Sequence, residues 1–405
     1  MTHDEVVIGR VFRLESGRAV AAVISMFGDI DLAEDAVQEA FTIALQKWPV
    51  TGVPPNPGAW VTATARNRAI DRLRRDARGA NLLRDVAAQA RTSRSSDELS
   101  EEEVVPDDRL RLIFTCCHPA LAPQGQIELT LRLVCGLSTA EVARAFLASE
   151  PTMAKRLVRA KHKIKVARIP YRVPEQSELP DRLPRVLTAI YLTYTTGQAK
   201  QATEPDLCAE AVRLGRILRL LMADEAEVAG LLALMLLTES RRATRTDSQG
   251  ELVLLRDQDR TGWDPSLIEE GQALIHWCLR RNRPGPYQLQ AAIAAVHAEA
   301  VTFQDTDWHR ILALYDRLIR MAPTPVVALN RAVALGEVHG AEAALREIDD
   351  LALVHYYPYH AARAEFLQRQ GRTDEAARAY LAAASLAPGG PDKHHLRRRA
   401  ERLSY

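Results

Sequence analysis

Apolar residues recur along most of the chain at intervals of three and four, with few β-branched clusters, which predicts helices and an all-α fold. The first informative helix opens at Asp31-Leu32-Ala33-Glu34, an acid with Glu three residues on, as in a capping box. Its apolar stripe is Leu32, Ala36, Val37, Ala40, Phe41, Ala44, Leu45 and Trp48, and its other face carries Glu34, Asp35, Gln38 and Glu39. Pattern alone reads that second face as solvated. Asn56-Pro57 then signals another start, with Asn as cap and Pro as first helical residue. Val61, Ala65, Ala69 and Leu73, edged by Ile70, form its inner face. Opposite lie Trp60, Thr64, Asn67 and Asp71, flanked by Arg68, Arg74, Arg75 and Arg78. A tryptophan on a cationic face has two readings. It packs against the preceding helix, or it is a stacking platform for unpaired bases, with the arginines along the phosphates.

Periodicity lapses from Gly79 to Pro106, where a polar run precedes an acidic block of Asp97, Glu98, Glu101, Glu102 and Glu103, so 79–107 reads as a linker. Helical pattern resumes at Asp108. Ser138-Thr139-Ala140-Glu141 is a second capping box, opening a short helix with Val142, Ala143, Phe146 and Leu147 inward. After a break at Ala148-Ser149-Glu150, a helix begins at Pro151 with Met153, Leu157, Ala160 and Ile164 buried. Thr152, Lys155, Arg159 and His162 point outward, with Arg156 and Lys163 beside them, and no acid occurs from Pro151 to Arg168. Two short helices with the second basic on its exposed face predict a helix-turn-helix, whose second helix enters the major groove. A purely structural hairpin is the alternative.

Pro170, Pro174, Pro180 and Pro184 mark a second boundary. Beyond it the pattern is again helical to Tyr405, except for a polar stretch from Arg241 to Trp263 with one short candidate strand or extended piece at Glu251–Leu255. Gly371, Ala376, Tyr380, Ala383 and Pro388 fall at tetratricopeptide spacing, with Gly371 as the small residue of the turn. Gly336, Ala341, Leu345 and Ile348 repeat the pattern one period earlier, and Tyr315, Leu318 and Pro323 form a weaker copy. Such hairpins need neighbours to bury their faces. The expected layout is therefore a helical bundle at 1–78, the linker at 79–107, a helix-turn-helix domain at 108–170, a helical extension at 171–300 and repeats at 301–405.

Charge changes this picture only through its distribution, because the net charge is +1 and offers no global attraction to nucleic acid. No apolar run reaches the roughly 18 residues that span a bilayer, and Met1 to Arg10 has no apolar signal core, so a cytoplasmic protein without membrane contact is expected. Five irregularly spaced cysteines argue against a disulfide framework. Cys116-Cys117-His118 invites a metal or redox site, but adjacent helical cysteines point about 100° apart and no second cluster has zinc spacing, so small core residues are the preferred reading. His297, His309, His339, His355 and His360 have no nucleophile at motif distance, and no glycine loop cradles phosphate. Neither an enzyme nor a cofactor is expected.

The stretch Leu32-Ala33-Glu34-Asp35-Ala36-Val37-Gln38-Glu39-Ala40-Phe41, followed by Ala59-Trp60-Val61 through Asn67-Arg68-Ala69-Ile70-Asp71, resembles region 2 of sigma factors of the extracytoplasmic-function type. Gly136-Leu137-Ser138-Thr139-Ala140-Glu141-Val142-Ala143 through Leu157-Val158-Arg159-Ala160-Lys161 is similar to their region 4. The resemblance covers residues 1 to about 170, in the family's order. It implies that Glu34, Asp35, Gln38 and Glu39 meet the clamp coiled coil of the largest polymerase subunit, with a further contact at the flap region. It implies that Trp60, Thr64, Asn67, Arg68, Asp71, Arg74 and Arg75 hold the melted −10 element. It implies that Thr152, Lys155, Arg156, Arg159 and Lys163 read the −35 element. The acidic linker then has a use in the basic path of nascent RNA, an idea that unchanged abortive initiation after charge reversal at Glu101–Glu103 would sink.

Most such factors end near region 4. The longer form, with Arg241-Arg242-Ala243-Thr244-Arg245, Asp257-Gln258-Asp259-Arg260 and Gly285-Pro286-Tyr287-Gln288-Leu289-Gln290, resembles the subgroup with a fused tetratricopeptide-like extension. Inter-helix salt bridging is the preferred reading of these polar clusters. The sharper one is a groove for a peptide, protein or small ligand, which makes the extension the expected regulator. A tetratricopeptide-containing regulator that binds duplex DNA without polymerase is the rival function.

Overall fold

The computed structural model describes residues 3–76, 101–146, 148–175, 177–199, 206–248, 250–387 and 390–403. Described elements are helical throughout, and none is long and apolar enough to cross a membrane. Glu251–Leu255 is not a strand: a single antiparallel bridge joins Leu252 to Thr246.

The chain divides into two compact units, Met1–Ala223 and Asp224–Tyr405. In the first, α1 (His3–Phe27) packs against α2 (Ile30–Thr51) and α3 (Pro57–Asp76). The cap of α2 is Asp29 rather than Asp31, because the extended backbone of Asp29 lets its carboxylate accept from the amides of Asp31 and Leu32. Its apolar stripe is buried as expected, except that Leu45 is 48% exposed, lying at the edge of the stripe. Asn56 caps α3 through the amide of Ala59, and Val61, Ala65 and Ala69 are fully buried.

Helical structure returns earlier than expected. Helix α4 spans Glu101–Cys116, so the last acids of the anticipated linker and Pro106 are already helical, while 77–100, Arg78 included, lie outside the described residues. Pro106 stands at the sixth position of α4, beyond the first turn, so it leaves the Glu102 carbonyl without its usual intrahelical donor. Helix α5 (Pro123–Leu129) runs into a wide π-helical segment at Thr130–Val134. Helices α6 (Thr139–Ala145) and α7 (Glu150–Val166) follow and pack together. Both halves of the Ser138/Glu141 capping box form, at 2.7 and 3.2 Å. Ser149 caps α7, with Met153, Leu157 and Ile164 buried beneath it, whereas Ala160 is only partly covered. Helices α8 (Leu179–Ala199) and α9 (Leu207–Leu221) form a hairpin that packs on α4, where Arg182 donates to the carbonyl of Phe114. Cys116, Cys117 and Cys135 are buried in this unit, and burial raises all three thiols, Cys117 to about 11. No group of three metal-binding side chains occurs among the described residues.

In the second unit, α10 (Ala226–Glu239) is apolar all round and is covered by α11 (Pro265–Arg281) and α12 (Pro286–Glu299). The chain continues through α13 (Trp308–Met321), α14 (Pro325–His339), α15 (Ala341–Asp349), α16 (Tyr357–Arg369), α17 (Thr373–Leu386) and α18 (Pro391–Leu403), each packed on the next. Ala376, Tyr380 and Ala383 are buried in α17, as are Leu345 and Ile348 in α15. The equivalence of Gly336 with Gly371 fails. Gly371 has a positive φ in the α16–α17 turn, whereas Gly336 lies inside α14, where a Cβ would stand 2.4 Å from the Phe366 ring. The matching turn glycine is Gly340, at φ 89°. Pro388 lies outside the described residues.

Candidate functional site

Three surfaces of the first unit carry the residues singled out above. On α2, Gln38 is exposed while Glu34, Asp35 and Glu39 are half-buried. They do not form one free acidic patch. Asp35 binds Arg72 of α3 at 2.5 Å, and Glu34, only 13% exposed, is held by Arg132 of the π-helical segment and by Lys161 of α7 at 3.1 Å. Lys161 also meets Asp31 at 2.5 Å. Burial pulls the Lys161 ammonium down, but its hydrogen bonds to Asp31 and Glu34 outweigh that and leave its pKa raised.

On α3, Asn67, Asp71, Arg74 and Arg75 are exposed, and Thr64 and Arg68 are half-buried. Trp60 is half-buried and lies edge-on to buried Trp48 at 5.3 Å, with rings inclined by 63°. Packing on the preceding helix is therefore realised, and it leaves part of the indole at the surface. That arrangement fixes the ring without using all of it. Arg68 stands 3.9 Å from Asp71, and Arg75 donates to the Asp71 carbonyl, so the cationic face is partly held in place by its own helix.

On α7, Thr152, Lys155, Arg159 and Lys163 are exposed along one side, with Arg156 half-buried. The Ser149 cap fixes the start of the helix, and the buried stripe turns these cations outward. Arg156 is positioned from below by Glu128, 2% exposed, at 3.2 Å. Burial raises the Glu128 carboxyl, and the guanidinium only partly offsets this. Periodicity did not single out Glu128, Arg132, Lys161 or Arg72. Each acts on a residue distant in sequence, so no local spacing announces it.

In the extension, Arg260 of one polar cluster is spent on backbone and a hydroxyl. Arg260 donates to the carbonyls of His297 and Ala300 and to the Thr306 hydroxyl, while Asp259 caps the turn at Thr261. Gln288 is held by Glu227, and Arg242 by Glu239. Ion pairs between elements join Arg331 of α14 to Asp316 and Glu347, and Glu365 of α16 to Arg399 of α18 and to Arg256 in the turn before α11.

Residues 12–79 match the family described as sigma-70 region 2, and residues 111–164 match sigma-70 region 4. Residues 182–279 match a family of unknown function, DUF6596. An uncharacterized protein of Rhizobium meliloti is 42% identical over 398 residues, covering 96% of this chain and 93% of its own length. A Mycobacterium tuberculosis protein named "Probable ECF RNA polymerase sigma factor SigI" is 27% identical over 168 residues, 41% of this chain and 57% of its own.

Proposed function

The chain belongs to the extracytoplasmic-function sigma factors that carry a fused C-terminal helical extension, and from that premise we propose that it brings core RNA polymerase to specific promoters and opens their −10 element. Glu34, Asp35, Gln38 and Glu39 of α2 take the polymerase clamp, and region 4 takes the flap. Trp60, Thr64, Asn67, Arg68, Asp71, Arg74 and Arg75 of α3 receive the unpaired strand, bases against the indole and phosphates against the arginines. Thr152, Lys155, Arg156, Arg159 and Lys163 of α7 enter the major groove at the −35 element, where lysine and arginine hydrogen-bond guanine edges or phosphates. Bond-making chemistry stays with the polymerase. Region 2 occupies 1–78, the acidic linker 79–107 and region 4 108–170. The helices at 171–300 and the repeats at 301–405 regulate, through a peptide, protein or small ligand.

The observation that carries this reading is the paired arrangement of surfaces. A fixed, half-exposed Trp60 stands among arginines on one helix, and a capped, acid-poor helix displays Lys155, Arg159 and Lys163 on another. Duplex binding alone would require only the second. Run-off transcription with purified core polymerase is the test, and the full chain is expected to direct promoter-specific initiation. Duplex binding without any transcript would instead identify a DNA-binding regulator that is not a polymerase subunit.

A further inference from the structure

The half-occupied acidic face of α2 is a consequence of how closely regions 2 and 4 meet. Their backbones touch at Gly17 of α1, where a Cβ would stand 2.1 Å from the Val134 carbonyl oxygen. Gly136, at φ 73°, admits the Ser16 hydroxyl in the same way. Tyr171, just after region 4, joins the two regions by placing its hydroxyl 2.9 Å from the Ala21 carbonyl and 3.0 Å from that of Asp108. Beside this contact lies the charge cluster, with Arg132 (9% exposed) and Lys161 (16%) enclosing Glu34. The seam is not fully satisfied: the Ser16 hydroxyl, facing Gly136, is buried without a hydrogen-bond partner. Such an atom weakens an interface that must later part.

We propose that this is a self-masked resting state, in which Arg132 and Lys161 of region 4 occupy the Glu34 carboxylate that region 2 offers to polymerase. The proposal rests on the reading of α2 as the polymerase face. Core binding then requires the two regions to separate, and separation exchanges partners on both sides. Glu34 is released to a cation of polymerase, and Lys161, on the promoter-reading helix, is released to a DNA phosphate. Polymerase and promoter thus pull on the same closed contact from opposite ends, so each favours the other's binding. The apparent affinity of the free chain for core is reduced by the fraction that is closed.

The test uses the full-length chain. A zero-length carbodiimide cross-link between Lys161 and Glu34 or Asp31, located by mass spectrometry, is expected in the free chain and lost when core polymerase binds. Lys161→Glu is expected to bind core about five-fold more tightly than wild type, and Tyr171→Phe about two-fold, as a smaller closed fraction requires. Glu39→Lys, outside the cluster, reports on the face itself and is expected to weaken core binding. Absence of the cross-link in the free chain overturns the closed state, and its persistence in the complex overturns the masking. If neither Lys161→Glu nor Tyr171→Phe binds more tightly while Glu39→Lys binds less, masking is wrong and the polymerase face stands. If Glu39→Lys binds as wild type does, it is the assignment of α2 to polymerase that fails.

Discussion

The arginines of the extension and the cations of α7 are the same kinds of residue put to opposite use. In the extension, Arg331 bridges Asp316 and Glu347, Arg369 binds Glu337, and Glu365 gathers Arg256, Arg399 and the Tyr380 hydroxyl. These charges are arranged for one another. On α7, Lys155, Arg159 and Lys163 stand exposed on a helix whose sequence offers them no acid beyond Glu150. Their arrangement makes sense for a partner outside the chain. Between the two extremes lies Lys161, on α7 yet turned to Asp31 and Glu34. Local composition therefore does not separate a cation that binds outward from one that binds inward. What separates them is the element that faces each one.

If the extension is held by its own contacts, its variants should act on stability, and those of α7 should act on DNA. The largest effect is expected from Phe366→Ala. The ring is 1% exposed and fills the space left by Gly336, so its loss should cost about 3–5 kcal/mol, read from urea unfolding of the second unit's transition. A cost under about 1 kcal/mol would mean that the repeats are not one packed array.

The next effect is a pH dependence. Burial, reinforced by Arg241 and Arg260, lowers the His297 imidazole to about 3. The folded chain therefore keeps it neutral, while the unfolded chain protonates it below about 6.5. Stability should be full above pH 6.5 and fall as the pH drops towards 3, losing on the order of 2 kcal/mol by about pH 5. His297→Gln should flatten that limb in thermal melts between pH 7 and 5; an unchanged limb would show that the imidazole is solvated.

A smaller loss is expected at Glu365, whose carboxyl is held below its usual range. Burial would raise it, but Arg256 and Arg399 outweigh burial. Its contribution is present above the unfolded value of about 4.5 and is lost as pH falls through the lower folded value. Glu365→Gln should cost about 1–2 kcal/mol at pH 7, with a smaller difference from wild type at pH 3. A cost that does not shrink in acid would point to packing in place of charge. Least visible in stability is Lys155→Ala, expected to change unfolding by under about 0.5 kcal/mol while reducing the salt slope of promoter binding by roughly 1. A stability loss with an unchanged salt slope would place Lys155 with the inward-facing charges and dissolve the contrast.

Much of this was legible along the chain. The Asn56 and Ser138 caps, the buried faces of α3 and α7 and the burial of Ala376, Tyr380 and Ala383 follow from periodicity and hydrogen-bonding geometry within a few residues. Misreadings arose where neighbouring signals compete. Asp29 and Asp31 are both plausible caps, and only the extended backbone at Asp29 decides between them. Gly336 and Gly340 are both small residues near a turn, and the Phe366 ring explains why the first is glycine although it lies within a helix. The cluster at Arg260 suggested a salt bridge because charge is visible in sequence, whereas the carbonyls that Arg260 binds are not.

The sequence by itself determined most of the helices, the Asn56 and Ser138 caps and the buried faces of α3 and α7, because those depend on interactions between residues three or four apart. It also determined the order of the two sigma regions, since each carries its signature within one short segment. Tertiary structure alone decided that Gly17 meets Val134, that Glu128 supports Arg156, and that Lys161 and Arg132 close over Glu34. Those pairings join residues far apart in sequence, and a charge carries no mark of its partner. Its role is set by which surface packing brings within reach.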